Sequence, residues 1–373
     1  MPEETLIAPR LGVRSNGTMT EFLKHLPGRH EQQLHAGPEK GGGGLGGVGD
    51  RFTPASLTGS RHVRREKIGE TEVTRTLKTG ETRTKTVPVF EFTWSDTGEV
   101  IRDPETIERL QKAAPPGVTK VIINPDPNGH IIAMWTDSKE RIHARYSKSH
   151  AKGAAAEKFQ RLKDFHQALP RLRRRIKRDL QSPKMRVREN AAVLYLIDKT
   201  GFRIGSTSDT KASVQAYGAS TLLGRHVSVN GNKTTFDFVG KKGVRIRKTV
   251  TDSLLAQIVS EHKTSNWSQP LFKTDSGKVR NYLLSFGRGF KIKDFRTWNG
   301  TNQALKWVVK RKGPASTELI FRRWQNWVGD KVAKFLGNTR GVSLNAYIDP
   351  HVWMPWRKPE WGPWVPKTLK GED

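Results

Sequence analysis

The chain has 373 residues, with 66 Lys plus Arg against 36 Asp plus Glu, a formal net charge of +30 and no cysteine. The missing cysteines exclude disulfides, thiolate catalysis and cysteine–zinc sites. The basic excess is spread through most of the chain and calls for a polyanionic partner, most simply nucleic acid. No run of about eighteen apolar residues and no signal-peptide core is present, so a soluble, intracellular protein with no membrane partner is expected. In chain order, residues 1–60 form an arm whose GGGGLGGVG at 41–49 is a flexible linker. No strand precedes that stretch and no GK[ST] follows it, so it is not a nucleotide loop, and neither a nucleotide nor another cofactor is expected. A short helix is predicted over 20–26. His25, His30 and His35 recur every five residues, which scatters them around a helix instead of gathering a metal site.

From Arg61 the pattern becomes strand-like. Strands are predicted over 71–77 and 82–94, then the Asp96-Thr97-Gly98 turn and a helix over 105–114 opened by Pro104. Strands over 118–123 and 130–136 flank the DPNG turn at 126–129, and 141–146 follows, giving a small basic strand-rich domain over 61–149. Residues 150–350 read as mainly helical. From Ala154 an apolar stripe of Phe159, Leu162, Phe165, Leu169, Leu172 and Ile176 recurs at helical spacing. The opposite face carries Arg173, Arg174 and Arg175 among other cations, dense enough to suggest phosphate contact. Arg186–Thr200 is apolar nearly all round and predicts a buried helix with Tyr195 in the core.

Five separate places in the chain carry residues suited to chemistry. Arg203 lies between Gly201 and Gly205, just past the buried helix. Lys241 and Lys242 occupy the tip of a hairpin predicted over 234–250. Lys293 and Arg296 are three apart, so they share a helix face. Asn338 follows Gly337, the predicted end of a helix, and Tyr347 ends the next short segment just before Asp349-Pro350. Singly, each has a plain reading: a solvated arginine, a soluble turn lysine, a core tyrosine. Together they are the parts for attack on a phosphodiester. Two guanidiniums and an amide suit non-bridging oxygens, an ammonium suits a general acid, and a phenol suits a nucleophile.

The motifs LIDKTGFRIGS at 196–206, YGASTLLGRHV at 217–227, FDFVGKKG at 236–243, KDFRTWNGT at 293–301 and LGNTRGVSLNAYIDP at 336–350 resemble the type IB DNA topoisomerases of the small bacterial and poxvirus-like kind. The resemblance runs from about Arg61 to Pro350. It implies an α+β fold: a strand-rich N-terminal DNA-binding domain and a mainly helical catalytic domain with a β-hairpin, forming a clamp around duplex DNA. It implies catalytic roles for Tyr347, Arg203, Lys241, Arg296 and Asn338, with Lys293 as a supporting phosphate contact. It also implies a monomer that relaxes supercoiled DNA without ATP or metal. The expected setting is the cytoplasm, at a nucleoid or as a viral or phage product.

Three departures accompany the resemblance. Many relatives carry histidine where Asn338 stands. Lys242 follows Lys241 where other residue types are common, and the lysine directly after Gly240 is taken as the acid. The segment 145–158 departs from the usual basic-aromatic pattern. Residues 351–373, HVWMPWRKPEWGPW and beyond, lie outside the shared motifs, and Trp353, Trp356, Trp361 and Trp364 are expected to pack on the domain. A tyrosine recombinase is the nearest rival, though a helical N-terminal domain is usual there. A non-enzymatic DNA-binding protein would leave the ordered constellation unexplained.

Overall fold

Two long strands, β1 (Val63–Thr76) and β2 (Thr82–Trp94), open the computed structural model. It describes residues 61–76, 79–129, 131–137, 141–207, 214–287 and 289–361. The readings of the arm and of Trp364 lie outside these residues. β1 begins eight residues earlier than the sequence suggested. Arg64 to Lys67 carry no β-branched signature, yet they pair antiparallel with Phe90–Thr93 of β2, Arg65 opposite Phe92 and Lys67 opposite Phe90, and a bulge between Lys67 and Gly69 resets the register. Helix α1 (Pro104–Gln111) starts where the Asp103 carboxylate accepts from the Thr106 amide. Strands β3 (Thr119–Ile123), β4 (Ile131–Thr136) and β5 (Ile142–Tyr146) complete an antiparallel sheet of order β2-β1-β3-β4-β5. Val63, Phe92, Leu110, Ile123 and Ala133 form its core. Arg65 is buried beside them because three carbonyls, those of Ala114, Pro115 and Val118, accept its guanidinium.

The chain divides into two compact units, one ending at Ala155 and the other starting at Ala156. Helix α2 (Lys148–Asp179) begins just before that division, six residues ahead of the predicted start. Its stripe of Phe159, Leu162, Phe165, Leu169, Leu172 and Ile176 is buried as the periodicity requires. Helix α3 (Met185–Thr200) is buried on nearly every side, and Gly201 stops it in the left-handed region at φ 68°. Strands β6 (Val227–Asn230), β7 (Lys233–Val239) and β8 (Arg245–Thr251) form an antiparallel sheet whose β7–β8 turn presents Lys241 and Lys242 to solvent. Helices α4 (Ser253–His262), α5 (Ser276–Leu284), α6 (Ile292–Val308), α7 (Glu318–Leu336) and α8 (Arg340–Ala346) follow. Like α3, α7 ends at a left-handed glycine, Gly337 at φ 62°.

Two apolar clusters fill this second unit. One surrounds α3 and includes Phe165, Phe202, Phe236 and Phe295. The other joins α6 and α7 to Tyr347, Ile348 and the turn Pro350–Trp356, with Trp353 and Trp356 fully buried. The chain just after Asp349 is therefore part of the core that holds the tyrosine. Among the described residues no helix is long and apolar enough to cross a membrane.

Candidate active site

The last carbonyls of a helix have no intrahelical partner, and they lie at the negative end of its dipole. Here α3 and α7 end side by side, and cations take those carbonyls. Arg296, on the first turn and a half of α6, donates to Gly201 O and, at 3.1 Å, to Leu336 O. Arg203 leaves α3 just beyond its end and donates to Gly337 O at 3.4 Å and to Asn338 Oδ1 at 2.6 Å. Arg296 also reaches Asn338 Oδ1, at 3.4 Å. Guanidiniums only donate, so the side-chain atom of Asn338 between them must be its oxygen. That fixes the amide flip and leaves Asn338 Nδ2 as a buried donor without a partner, next to Arg296 Nε in the same condition. Two buried donors at one place invite an acceptor.

Tyr347 caps α8 and is 6% exposed. The Arg296 guanidinium carbon lies 4.8 Å from its ring centroid and Lys293 Nζ lies 5.5 Å from it. Burial pushes the phenol pKa up, but Arg296, by charge and hydrogen bonding, together with Arg203 and Lys293, outweighs burial and holds it below the ordinary tyrosine value. Burial lowers Arg296 to about 10, with the Tyr347 phenol opposing and Arg203 adding to the fall, so it stays a cation at neutral pH.

Backbone fit sets these positions. The loop carrying Arg203 is bonded to the Tyr217–Thr221 segment through Ala219 N to Arg203 O (2.8 Å) and Ser220 N to Ile204 O (2.7 Å). A Cβ on Gly218 would stand 2.6 Å from Gly205 Cα, so only glycine permits the approach. On α6, Gly300 lies one turn beyond Arg296. A Cβ there would meet Tyr347 O at 2.5 Å and Tyr347 Cβ at 3.1 Å. Thr301 Oγ1 then bonds Tyr347 O at 3.4 Å and accepts from Asp349 N at 3.1 Å. One helix thus supplies Lys293 and Arg296 to the tyrosine ring and Gly300 and Thr301 to its backbone.

The structure brings Tyr347, Arg203, Arg296, Asn338 and Lys293 together. Lys241 and Lys242 stay exposed at the hairpin turn, with Lys242 at φ 65°, and no contact joins them to that group. Of the three neighbouring arginines of α2 that the sequence pointed to, Arg173 grips Asp198 with two bonds at 2.8 and 2.9 Å. Arg175 bonds Ser285 and lies 4.2 Å from the Phe286 ring. Arg174 is exposed beside a cleft that Lys177, Tyr195 and Lys199 also line. Sequence reasoning did not single out Gly218, Gly300 or Lys248. The glycines act across the fold. Lys248 did leave a signal, because it shares the inward register of Ile246 and Val250, where a lysine needs a partner.

Residues 147–349 match the family model described as the eukaryotic DNA topoisomerase I catalytic core, and residues 90–137 match the bacterial DNA topoisomerase IB N-terminal domain. The chain belongs to the type IB DNA topoisomerase family. It is 30% identical over 296 residues to a mimivirus protein named DNA topoisomerase 1B, covering 73% of this chain and 86% of that relative. It is 25% identical over 253 residues to DNA topoisomerase 1 of Caenorhabditis elegans, 61% of this chain and 31% of the relative. Against the human DNA topoisomerase 1 it is 26% identical over 158 residues, 39% of this chain and 20% of the relative. The type IB catalytic-core match ends two residues after Tyr347, so the whole cation-lined tyrosine site lies within it.

Two outcomes follow from this geometry. Gly300→Ala should displace the Tyr347 backbone and slow single-turnover DNA cleavage by about 100-fold, as a small misplacement within an active site can, while DNA affinity measured by gel shift is retained. Arg296→Gln removes the nearest cation, so the Tyr347 phenol should deprotonate at higher pH than in the parent. An NMR titration of ring-labelled tyrosine, assigned with Tyr347→Phe, reads the shift. A phenol unmoved by that change would contradict the electrostatic account.

Proposed function

We propose that Tyr347 is the nucleophile of an ATP-independent DNA relaxation, the activity that membership of the type IB family implies. The observation that carries this reading is a phenol whose ring lies under Arg296 and Lys293, beside two unpartnered donors from Asn338 and Arg296. A phosphodiester fits there. Arg203 and Arg296 would hold its non-bridging oxygens through charge-assisted hydrogen bonds that strengthen as charge builds, and Asn338 Nδ2 would add a neutral donor.

In the forward step the Tyr347 oxygen bonds to phosphorus and the bond from phosphorus to the 5′-oxygen breaks. The tyrosine proton passes to water, a loss eased by the surrounding cations. The 5′-oxygen departs as an alcohol with a proton from Lys241. The 3′-phosphotyrosyl linkage keeps the bond energy, so the 5′-hydroxyl reseals the strand by the reverse attack after rotation has released supercoils. Lys241 has to approach from the hairpin turn, and the exposed Lys241-Lys242 pair, flanked by Gly240 and Gly243, suits an element that DNA would order. In this reading a monomer clamps duplex DNA, and the domain of residues 61–149 contributes DNA contacts.

Relaxation of supercoiled plasmid in EDTA without ATP is the direct test. Tyr347→Phe should abolish it and leave DNA binding intact, since one oxygen is lost and little packing. A covalent DNA adduct recovered from that variant would overturn the nucleophile.

The roles of the cations separate on a substrate with sulfur at the bridging 5′ position, a leaving group of pKa about 8.5 on the cysteine scale, which hardly needs an acid. Lys241→Ala should cleave ordinary DNA slowly and the 5′-thio substrate at close to the parent rate. Arg203→Ala should stay slow on both. Rescue of Lys242→Ala instead would move the acid one residue along the turn.

A further inference from the structure

Arg296 is one of two cations that bridge the ends of α3 and α7. The other is Lys248, from the middle of β8. Its Nζ donates to Thr200 O at 2.6 Å and to Phe335 O at 3.0 Å, and lies 3.4 Å from the centre of the Phe335 ring. Arg296 takes the very next carbonyl on each helix, Gly201 O and Leu336 O. The two side chains therefore form parallel ties, one residue apart, between the last turns of two helices. Three residues after Thr200 the chain reaches Arg203, and three after Phe335 it reaches Asn338. The tie thus sits at the root of two of the groups that are read as holding the phosphate, Arg203 and Asn338.

We propose that Lys248 is a positioning residue for strand cleavage: by cross-linking the C-terminal carbonyls of α3 and α7 it sets the distance between Arg203 and Asn338. It rests on the reading of those two residues as phosphate contacts. The placement is costly enough to need a reason. β8 alternates, with Ile246, Lys248 and Val250 partly buried while Arg245, Arg247 and Thr249 are exposed. The cross-strand partner of Lys248 is Phe236, which is fully buried. An apolar residue would pack at such a position, but it would leave two helix-end carbonyls unpaired. Although the residue keeps some exposure, its ammonium is withdrawn among carbonyls and an aromatic ring. Burial, with Arg296 adding, brings its pKa down to about 7. A neutral amine still has two N–H bonds, one for each carbonyl, so the tie persists whether or not the proton is bound.

The experiment is a double-mutant cycle on single-turnover cleavage of a duplex oligonucleotide, with DNA affinity measured alongside. Lys248→Met keeps length and bulk and removes both donors. It should slow cleavage by about 10-fold at an unchanged DNA dissociation constant. In an Arg203→Ala background the same change should slow cleavage by no more than about 2-fold, because the group it positions is gone. In a Lys241→Ala background the full factor should remain, since Lys241 serves a different oxygen. A full factor in the Arg203→Ala background, or no loss in the otherwise unchanged enzyme, overturns the proposal. If Lys248→Met does not fold, Lys248→Gln, which offers two neutral donors, takes its place in the cycle and should retain more activity than Lys248→Ala. Equal loss in those two also overturns it. Normal cleavage by Arg203→Ala alone would instead refute the active-site assignment beneath it.

Discussion

Two helices that end against each other present a cluster of unsatisfied carbonyls, and the catalytic unit is built around the cations that satisfy them. Without Arg296 and Lys248, the carbonyls of Thr200, Gly201, Phe335 and Leu336 would face one another unpaired, at the negative ends of two helix dipoles. With them, positive charge gathers at the helix ends, and Arg296 carries it to the Tyr347 ring. The arrangement also accounts for the two left-handed glycines. Gly201 and Gly337 turn the chain sharply enough that Arg203 and Asn338 emerge beside the carbonyls instead of beyond them.

A single helix, α6, connects this electrostatic cluster to Tyr347. Its Asp294 is held by Arg161 at 3.1 Å and its Asn299 donates to Asp198 O at 3.0 Å, so it is fixed to α2 and α3. From that seat it offers Arg296 to the helix ends and Gly300 to Tyr347. Lys158 of α2 approaches the same place, donating to Ala346 O at 3.3 Å. Its pKa is lowered to about 8, chiefly by burial and then by Lys293. The tyrosine is thus surrounded by cations whose mutual repulsion is relieved by carbonyls and by Asp294 and Asp349. An incoming phosphate would relieve it further.

Much of the site was legible in the sequence because its parts are local. The Lys293–Arg296 spacing is a helix face, Gly337 is a helix stop, and Asp349-Pro350 ends whatever segment precedes it. Order along the chain then matched the family motifs. What periodicity could not supply is the meeting of residues far apart: Arg203 and Asn338 are 135 positions apart and share one oxygen. The arginines of α2 show the same limit. Their density suggested a phosphate face, yet Arg173 and Arg175 are bonded to Asp198 and Ser285, partners on other helices that no helical wheel reveals. The early start of β1 is a third case, since Arg64–Lys67 become a strand through pairing with Phe90 and Phe92 and not through their own preference.

Asn338 bears on how such an enzyme ages. Its oxygen is already committed to two guanidiniums, and its only remaining contribution is the nitrogen. Asparagine is among the chemically labile side chains, and hydrolysis of the amide releases ammonia and leaves a carboxylate of almost the same shape. The helices, the glycine stops and the tyrosine would all stay in place, and the two arginines would be held more tightly than before. The donor would be gone and a negative charge would stand where a phosphate is proposed to enter. One hydrolysed amide would therefore leave the fold intact and turn a cation-lined site into one that repels the phosphate proposed to bind there.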